Sequence, residues 1–361
     1  MADGSLKGAS RGALDGGWLG LIAFGKIRRG GCNMLSRRTL ASAARLGTLA
    51  ALALALGARA APAAEVRTVA VTQIVEHPML DAARKGLKDE LAAEGFVEGR
   101  NLKLLFASAE GNPANAAQIA QDFVAKKPDV IVPISTPSAQ AVAAATKDLP
   151  IVFAAVTDPV GAKLVPNLQH PGGNVTGVSD LPPVSLHLDL IKEIMPNAQA
   201  LGVIYNPGEA NSVTLIDQLK KDAQKRDMEV VEALAPRSSD VLKAAQSLIG
   251  DVDAIYVPSD NTVMAALQAV IKVGTDNQLP VFAGDPDAVA RGAIAALGFN
   301  YYDVGRQTGK MVVRVLEGES PGDMPVEGIK TTQLYVNPEA AKTMGITLPD
   351  SVMKRAKFAV D

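Results

Sequence analysis

The chain has 361 residues, with 36 Lys and Arg against 38 Asp and Glu and a formal net charge of −2. That mixed, near-neutral balance argues against a nucleic-acid surface. The three histidines, His77, His170 and His187, lie in separate segments without H-E-x-x-H or paired metal-ligand spacing, so no metal site is expected.

The first predicted element is an export signal. Arg37 and Arg38 precede a charge-free apolar run at 46–58, and the small-residue patterns Ala58-Arg59-Ala60 and Ala61-Pro62-Ala63 follow it. A basic start, a short apolar middle and an A-x-A site make a secretory signal peptide over 34–63, cleaved after Ala60 or Ala63. The run falls short of the about 20 apolar residues that span a bilayer. Ser36-Arg37-Arg38-Thr39-Leu40 loosely fits twin-arginine export, but the general secretory (Sec) route fits better. Met34 is a better start than Met1, and residues 1–33 are expected to be a non-native or unstructured leader. Cys32, the only cysteine, precedes the apolar run, so the exported part has no disulfide and no lipid-anchoring cysteine.

About 300 residues follow, room for two α/β lobes of about 150 each. Strands are predicted at 66–72, 101–107, 130–134 and 150–156, with helices at 78–94, 114–126 and 137–146 between them. The 130–134 strand carries almost no polar residue, as in a parallel sheet covered on both faces. Pro171-Gly172-Gly173 then interrupts the pattern. A second series follows, with helices at 184–195, 210–226, 239–249 and 261–273 and strands at 200–205, 229–231, 254–257 and 280–282. A strand at 293–298, a helix at 304–316, a Gly/Pro/Asp-rich loop at 317–325 and a strand at 332–336 are too little for a third domain. The economical reading is α/β, two doubly wound Rossmann-like lobes joined by a multi-strand hinge. Lobe 1 is expected at 64–177 plus 299–328, and lobe 2 at 178–298 plus 329–361.

Open α/β sheets bind ligands at the carboxyl ends of their strands. The first strand presents Gln73 and then His77 there. The third presents Ser135, Thr136 and Ser138 at a helix start, where free N–H groups and hydroxyls suit a carboxylate; the plainer role is N-capping. The fourth presents Thr157 and Asp158, the latter also suited to a turn. In the second lobe, Tyr205, Asn206, Glu209, Asn211 and Ser212 form a polar loop running into a helix, and Ser259 and Asp260 end another strand. Asp285 is the candidate partner for a ligand ammonium, or else a helix cap. Phe299 and Tyr301 lie where the chain recrosses, as an apolar wall or as hinge packing.

Several of these stretches carry a resemblance. They are Gln73-Ile74-Val75-Glu76-His77-Pro78, Ile151-Val152-Phe153 with Asp158-Pro159-Val160, and Pro171-Gly172-Gly173-Asn174-Val175-Thr176-Gly177-Val178. Val203-Ile204-Tyr205-Asn206-Pro207 with Glu209-Ala210-Asn211-Ser212, and Gly284-Asp285, complete the set. Together they resemble the periplasmic substrate-binding proteins of ABC transporters, type I fold, in the branch described as tryptophan/tyrosine-binding. The resemblance implies two lobes closing on a small carboxylate-bearing ligand, an aromatic or branched apolar amino acid, for delivery to a membrane permease with a cytoplasmic ATPase. It implies that Ser135 and Thr136 hold the ligand carboxylate and that Asp285 holds its ammonium. A periplasmic location, a monomer and no cofactor are expected. The alternatives are a ligand-sensing subunit of a membrane receptor and a binder of a carboxylate without an amino group. An enzyme is disfavoured: no G-x-S-x-G elbow, Walker lysine or G-x-G-x-x-G is present.

Overall fold

The structure, a computed structural model, describes residues 65–329 and 331–358. The expected leader and signal peptide lie outside these residues. Among the described residues no helix is long and apolar enough to cross a membrane.

The first βα series forms as its apolar periodicity dictates. It comprises β1 (Arg67–Gln73), α1 (Pro78–Ala93), β2 (Leu102–Ser108), α2 (Pro113–Lys126), β3 (Val130–Ile134), α3 (Thr136–Ala145) and β4 (Ile151–Val156). All five residues of β3 and all six of β4 are buried, because helices cover both faces of this sheet. One further strand, β5 (Val175–Ser179), extends the sheet beside β4. The sequence pattern did not reveal β5. Its Thr, Gly and Ser break the apolar run, and the lobe boundary expected after Gly177 falls inside it.

The second series is α4 (Val184–Ile194), β6 (Ala200–Tyr205), α5 (Ala210–Gln224), β7 (Glu229–Leu234), α6 (Val241–Gln246), β8 (Ala254–Val257), α7 (Asn261–Ala265), α8 (Leu267–Asn277), β9 (Val281–Ala283), α9 (Asp287–Ala290) and β10 (Ala295–Gly298). The single helix expected at 261–273 is two, broken at Ala266, whose φ of −112° and ψ of 20° leave the helical region. The chain then returns to the first lobe as α10 (Tyr301–Leu316), which starts three residues earlier than expected because the Asn300 side chain caps it at Tyr302 N–H. β11 (Glu327–Gly328) pairs with β5, β12 (Gln333–Val336) pairs antiparallel with β10, and α11 (Pro338–Thr343), α12 (Asp350–Arg355) and β13 (Lys357–Phe358) finish the chain.

Two sheets result, ordered β11-β5-β4-β3-β1-β2 and β13-β12-β10-β9-β8-β6-β7. The chain passes between them three times: after β5, after β10 and between β11 and β12. Helices α1 and α10 pack together on the first sheet. They meet backbone to backbone, since a Cβ on Gly86 would lie 2.0 Å from Tyr302 O and one on Gly305 1.9 Å from Ala83 O. This contact sets the function of the fold: α1 starts beside His77 and α10 starts at Tyr301, so the pair delivers both rings to the strand ends.

Candidate functional site

Between the carboxyl ends of the two sets of strands lies a narrow cleft. About 280 Å³ lies between atoms there, but the centre of a water molecule fits in only about 10 Å³. A ligand the size of an amino acid therefore enters only when the lobes part. His77, Met79, Leu80, Ser135, Thr136, Ala155 and Thr157 line the first-lobe side; Asp180 and Tyr301 stand at the hinge; Asn211, Ser259, Asp260, Asn261 and Met264 line the second-lobe side.

The first-lobe wall is strained. Ser135 has φ 82° and ψ 156°, a region almost reserved for glycine, and Ala155 has φ 54° at a register shift in β4. Ser135 precedes α3, yet neither it nor its neighbours cap the helix: the hydroxyls of Ser135, Thr136 and Ser138 are buried without a hydrogen-bond partner among the described residues. Hydroxyls and N–H groups at a helix start, unspent on capping, suit an anion. Replacing Ser135 by glycine is expected to relieve the strain and stabilise the protein by about 1 kcal/mol. The same change should weaken ligand binding through the lost hydroxyl; chemical denaturation and calorimetry of the one variant read both effects.

The hinge supplies a carboxylate. Asp180 is buried, accepting hydrogen bonds from Tyr301 Oη at 2.8 Å and Thr157 Oγ1 at 3.0 Å. Burial pushes its carboxyl above the usual range, and those two donors oppose the shift. Burial pulls His77 down to about 4, against Asn261 and Asp81, so its ring is neutral at pH 7. Asp260 is pushed up to about 7 by burial and by the nearby Glu209. Among the described residues the cleft lining holds two carboxylates, Asp180 and Asp260, and neither Lys nor Arg. Its charge thus favours a ligand carrying a cationic group.

The expected site residues separate on this geometry. His77, Ser135, Thr136, Thr157, Asn211, Ser259, Asp260 and Tyr301 converge on the cleft. Ser138 is buried just inside α3. Gln73 instead ties β1 to α1, donating to Asp81 Oδ1 at 2.9 Å. Asp158 holds a turn, accepting from Gly161 N–H at 2.8 Å, the plainer of its two roles. Tyr205 points along its own sheet to Glu232 Oε2 at 2.6 Å. Asn206, Glu209 and Ser212 sit behind the lining: Asn206 N–H and Ser212 Oγ donate to Asp260 Oδ2, and Glu209 accepts from Asn261 and Thr262 at the start of α7. Asp285 is buried beside the lining, accepting from Asp287 N–H at 3.1 Å, with its Oδ2 unpartnered among the described residues. Phe299 lies tilted against Tyr301, their ring centroids 5.5 Å apart, and does not line the cleft.

Asp180, Asn261, Met79, Leu80, Ala155 and Met264 were not foreseen in the lining. Asp180 follows β5, so recognising that strand would have placed it by the strand-end rule. Asn261 belongs to the strand-end stretch Ser259-Asp260-Asn261, of which the sequence reading singled out only the first two for the ligand.

The chain belongs to the ABC transporter substrate binding protein family, whose pattern matches residues 68–360. Its two parallel-sheet lobes with three crossings form the type I periplasmic binding protein fold. Such proteins work outside the cytoplasm, binding a small molecule for an ABC importer without chemistry on it. The chain is 42% identical over 278 residues to the tyrosine-binding protein of Clostridioides difficile, covering 77% of this chain and 81% of that one. It is 38% identical to a Streptococcus pneumoniae ABC domain in complex with L-Trp, with a TM-score of 0.79 over 81% of this chain and 99% of that one. A ligand-free, open substrate-binding protein with adhesive properties from Clostridium difficile is 41% identical over the same shares, but its TM-score is 0.62.

Proposed function

We propose that this protein captures an aromatic or branched apolar amino acid in the periplasm and presents it to a membrane permease driven by a cytoplasmic ATPase. It works as a monomer exported through the signal at 34–63 by the Sec route. Its two lobes, joined where the chain crosses after β5, after β10 and between β11 and β12, close on the ligand as two bodies. One observation carries the ligand class: unspent hydroxyls at the start of α3 face a cleft whose acidic or basic lining groups, among the described residues, are carboxyl groups and the neutral His77. A zwitterion satisfies both halves, its carboxylate at Ser135 and Thr136 and its ammonium at Asp180. Met79, Leu80, Met264 and the Tyr301 ring offer the side chain an apolar wall. The tyrosine-binding relative and the relative in complex with L-Trp support the same class.

The test is thermal melting of residues 64–361, unfolded and refolded to strip carried-over ligand, against amino acids and their deamino counterparts. A ligand at a hundredfold excess over its Kd stabilises by about 2.7 kcal/mol. A shift with Trp, Tyr, Phe or a branched amino acid, much smaller with the deamino acids, is the expected result. Shifts with deamino acids alone would move the ligand to a plain carboxylate.

A further inference from the structure

Asn211, at the second position of α5, is only 3% exposed. Its amide nitrogen donates to Glu209 Oε2 at 3.2 Å, Ser259 O at 3.1 Å and Ser212 Oγ at 3.3 Å. Its Oδ1 is buried with no partner among the described residues, and the residue lines the cleft. An asparagine amide can be turned either way, and its neighbours decide which. Here they decide clearly, because an ionised carboxylate and a backbone carbonyl only accept. The NH₂ end must face Glu209 and Ser259, which leaves the carbonyl end for the cleft.

Glu209, 5% exposed, has no capacity left for a ligand. Besides Asn211, its oxygens accept from Asn261 N–H, the Asn261 amide, Thr262 N–H and Thr262 Oγ1. Five donors saturate the about four lone-pair sites of a carboxylate. It contributes instead by orientation. It anchors the start of α7 and holds the Asn211 amide in a single sense.

We infer that Glu209 is a positioning residue that fixes Asn211 with its carbonyl oxygen in the cleft, where Asn211 is the second-lobe acceptor for an N–H of the ligand's ammonium. The inference rests on the amino-acid reading and deepens it. An ammonium has three donors, and Asp180 at the hinge takes at most part of them. Asn211 adds an acceptor from the opposite lobe, so the same group that pairs with the hinge carboxylate also bridges to α5. A compound without the amino group leaves Asn211 Oδ1 buried and unpaired, which penalises it selectively.

The experiment uses L-tryptophan and indole propionate, identical but for the amino group, titrated into the parent, Asn211→Ala and Glu209→Gln. Asn211→Ala should lose about tenfold or more in affinity for tryptophan and change by less than about threefold for indole propionate. Glu209→Gln puts an NH₂ among donors and should show the same selective loss, to a smaller extent. Equal weakening of both probes would mark a purely structural role, and unchanged tryptophan affinity in both variants would remove Asn211 from the site; either overturns the inference. If one variant fails to fold, the other still separates the two probes. A parent that binds both probes alike, or that binds neither these nor any aromatic or branched amino acid and its deamino counterpart, overturns the amino-acid reading itself, and the inference with it; a parent that prefers another amino acid is titrated with that pair instead.

Discussion

Asp180→Asn is expected to weaken amino-acid binding on the order of a hundredfold while leaving the fold intact. The substitution keeps the shape and one acceptor for Tyr301 or Thr157, whose hydroxyls lie 2.8 and 3.0 Å from the carboxylate. It removes the charge that an ammonium buried in this cleft requires, and a buried cation without a partner is costly. Titration calorimetry of the two proteins measures the loss. The effect has a pH signature with a definite sign. Burial raises the Asp180 pKa, whereas an ammonium beside it would hold it ionised. Binding then releases a proton, so acid opposes it, and the parent's affinity should fall at pH values above the ordinary carboxylate range. The Asn variant should lack this component. Asp285→Asn, one step behind the lining, should cost less than about tenfold. A larger loss there than at Asp180 would return the ammonium to Asp285.

The largest effect on stability is expected at Gly305. A methyl there would sit 1.9 Å from Ala83 O, 2.7 Å from Ala83 C and 2.8 Å from Leu87 N. All three are backbone atoms of α1, so no side chain can swing away and the helices must separate. Overpacking typically costs about 1–3 kcal/mol and occasionally more. Because rigid backbone blocks the methyl, Gly305→Ala should lie at the upper end, about 3 kcal/mol, even though alanine favours a helix by about 1 kcal/mol. In thermal melting of a chain of about 300 residues that is a fall of roughly 5 °C. Gly309→Ala, whose nearest contact is Glu90 Cβ at 2.5 Å rather than a backbone oxygen at 1.9 Å, should cost less. Since α1 and α10 carry His77 and Tyr301 to the cleft, separating them should also lower affinity in whatever fraction still folds.

Much of the architecture was legible in the chain because it rests on local, repeated signals. The apolar run of β3 and the helical spacing of Leu80, Ala83, Leu87 and Leu91 in α1 report burial directly, and those elements form within a residue or so of expectation. Where an element is fixed by pairing with distant partners, the signal fails. β5 is held between β4 and β11 despite its Thr, Gly and Ser, and α9 and β13 are too short to show a period. The site follows the same division. The strand-end rule selected Ser135, Thr136, Asp260 and Tyr301, which the structure brings to one cleft. It equally selected Gln73, Asp158 and Tyr205, because a polar residue after a strand looks the same whether it faces a ligand, a turn or its own sheet.

The sequence by itself determined the two α/β series and the polar residues available at their strand ends, since periodicity and composition are properties of each segment alone. Which of those residues face one another was decided only by the tertiary structure. The hinge crossings put Asp180 beside Tyr301, α5 and α7 meet around Glu209, and the backbone at Ser135 takes a conformation its residue type disfavours. Each of these depends on contacts between segments far apart in the chain, and no local pattern encodes them.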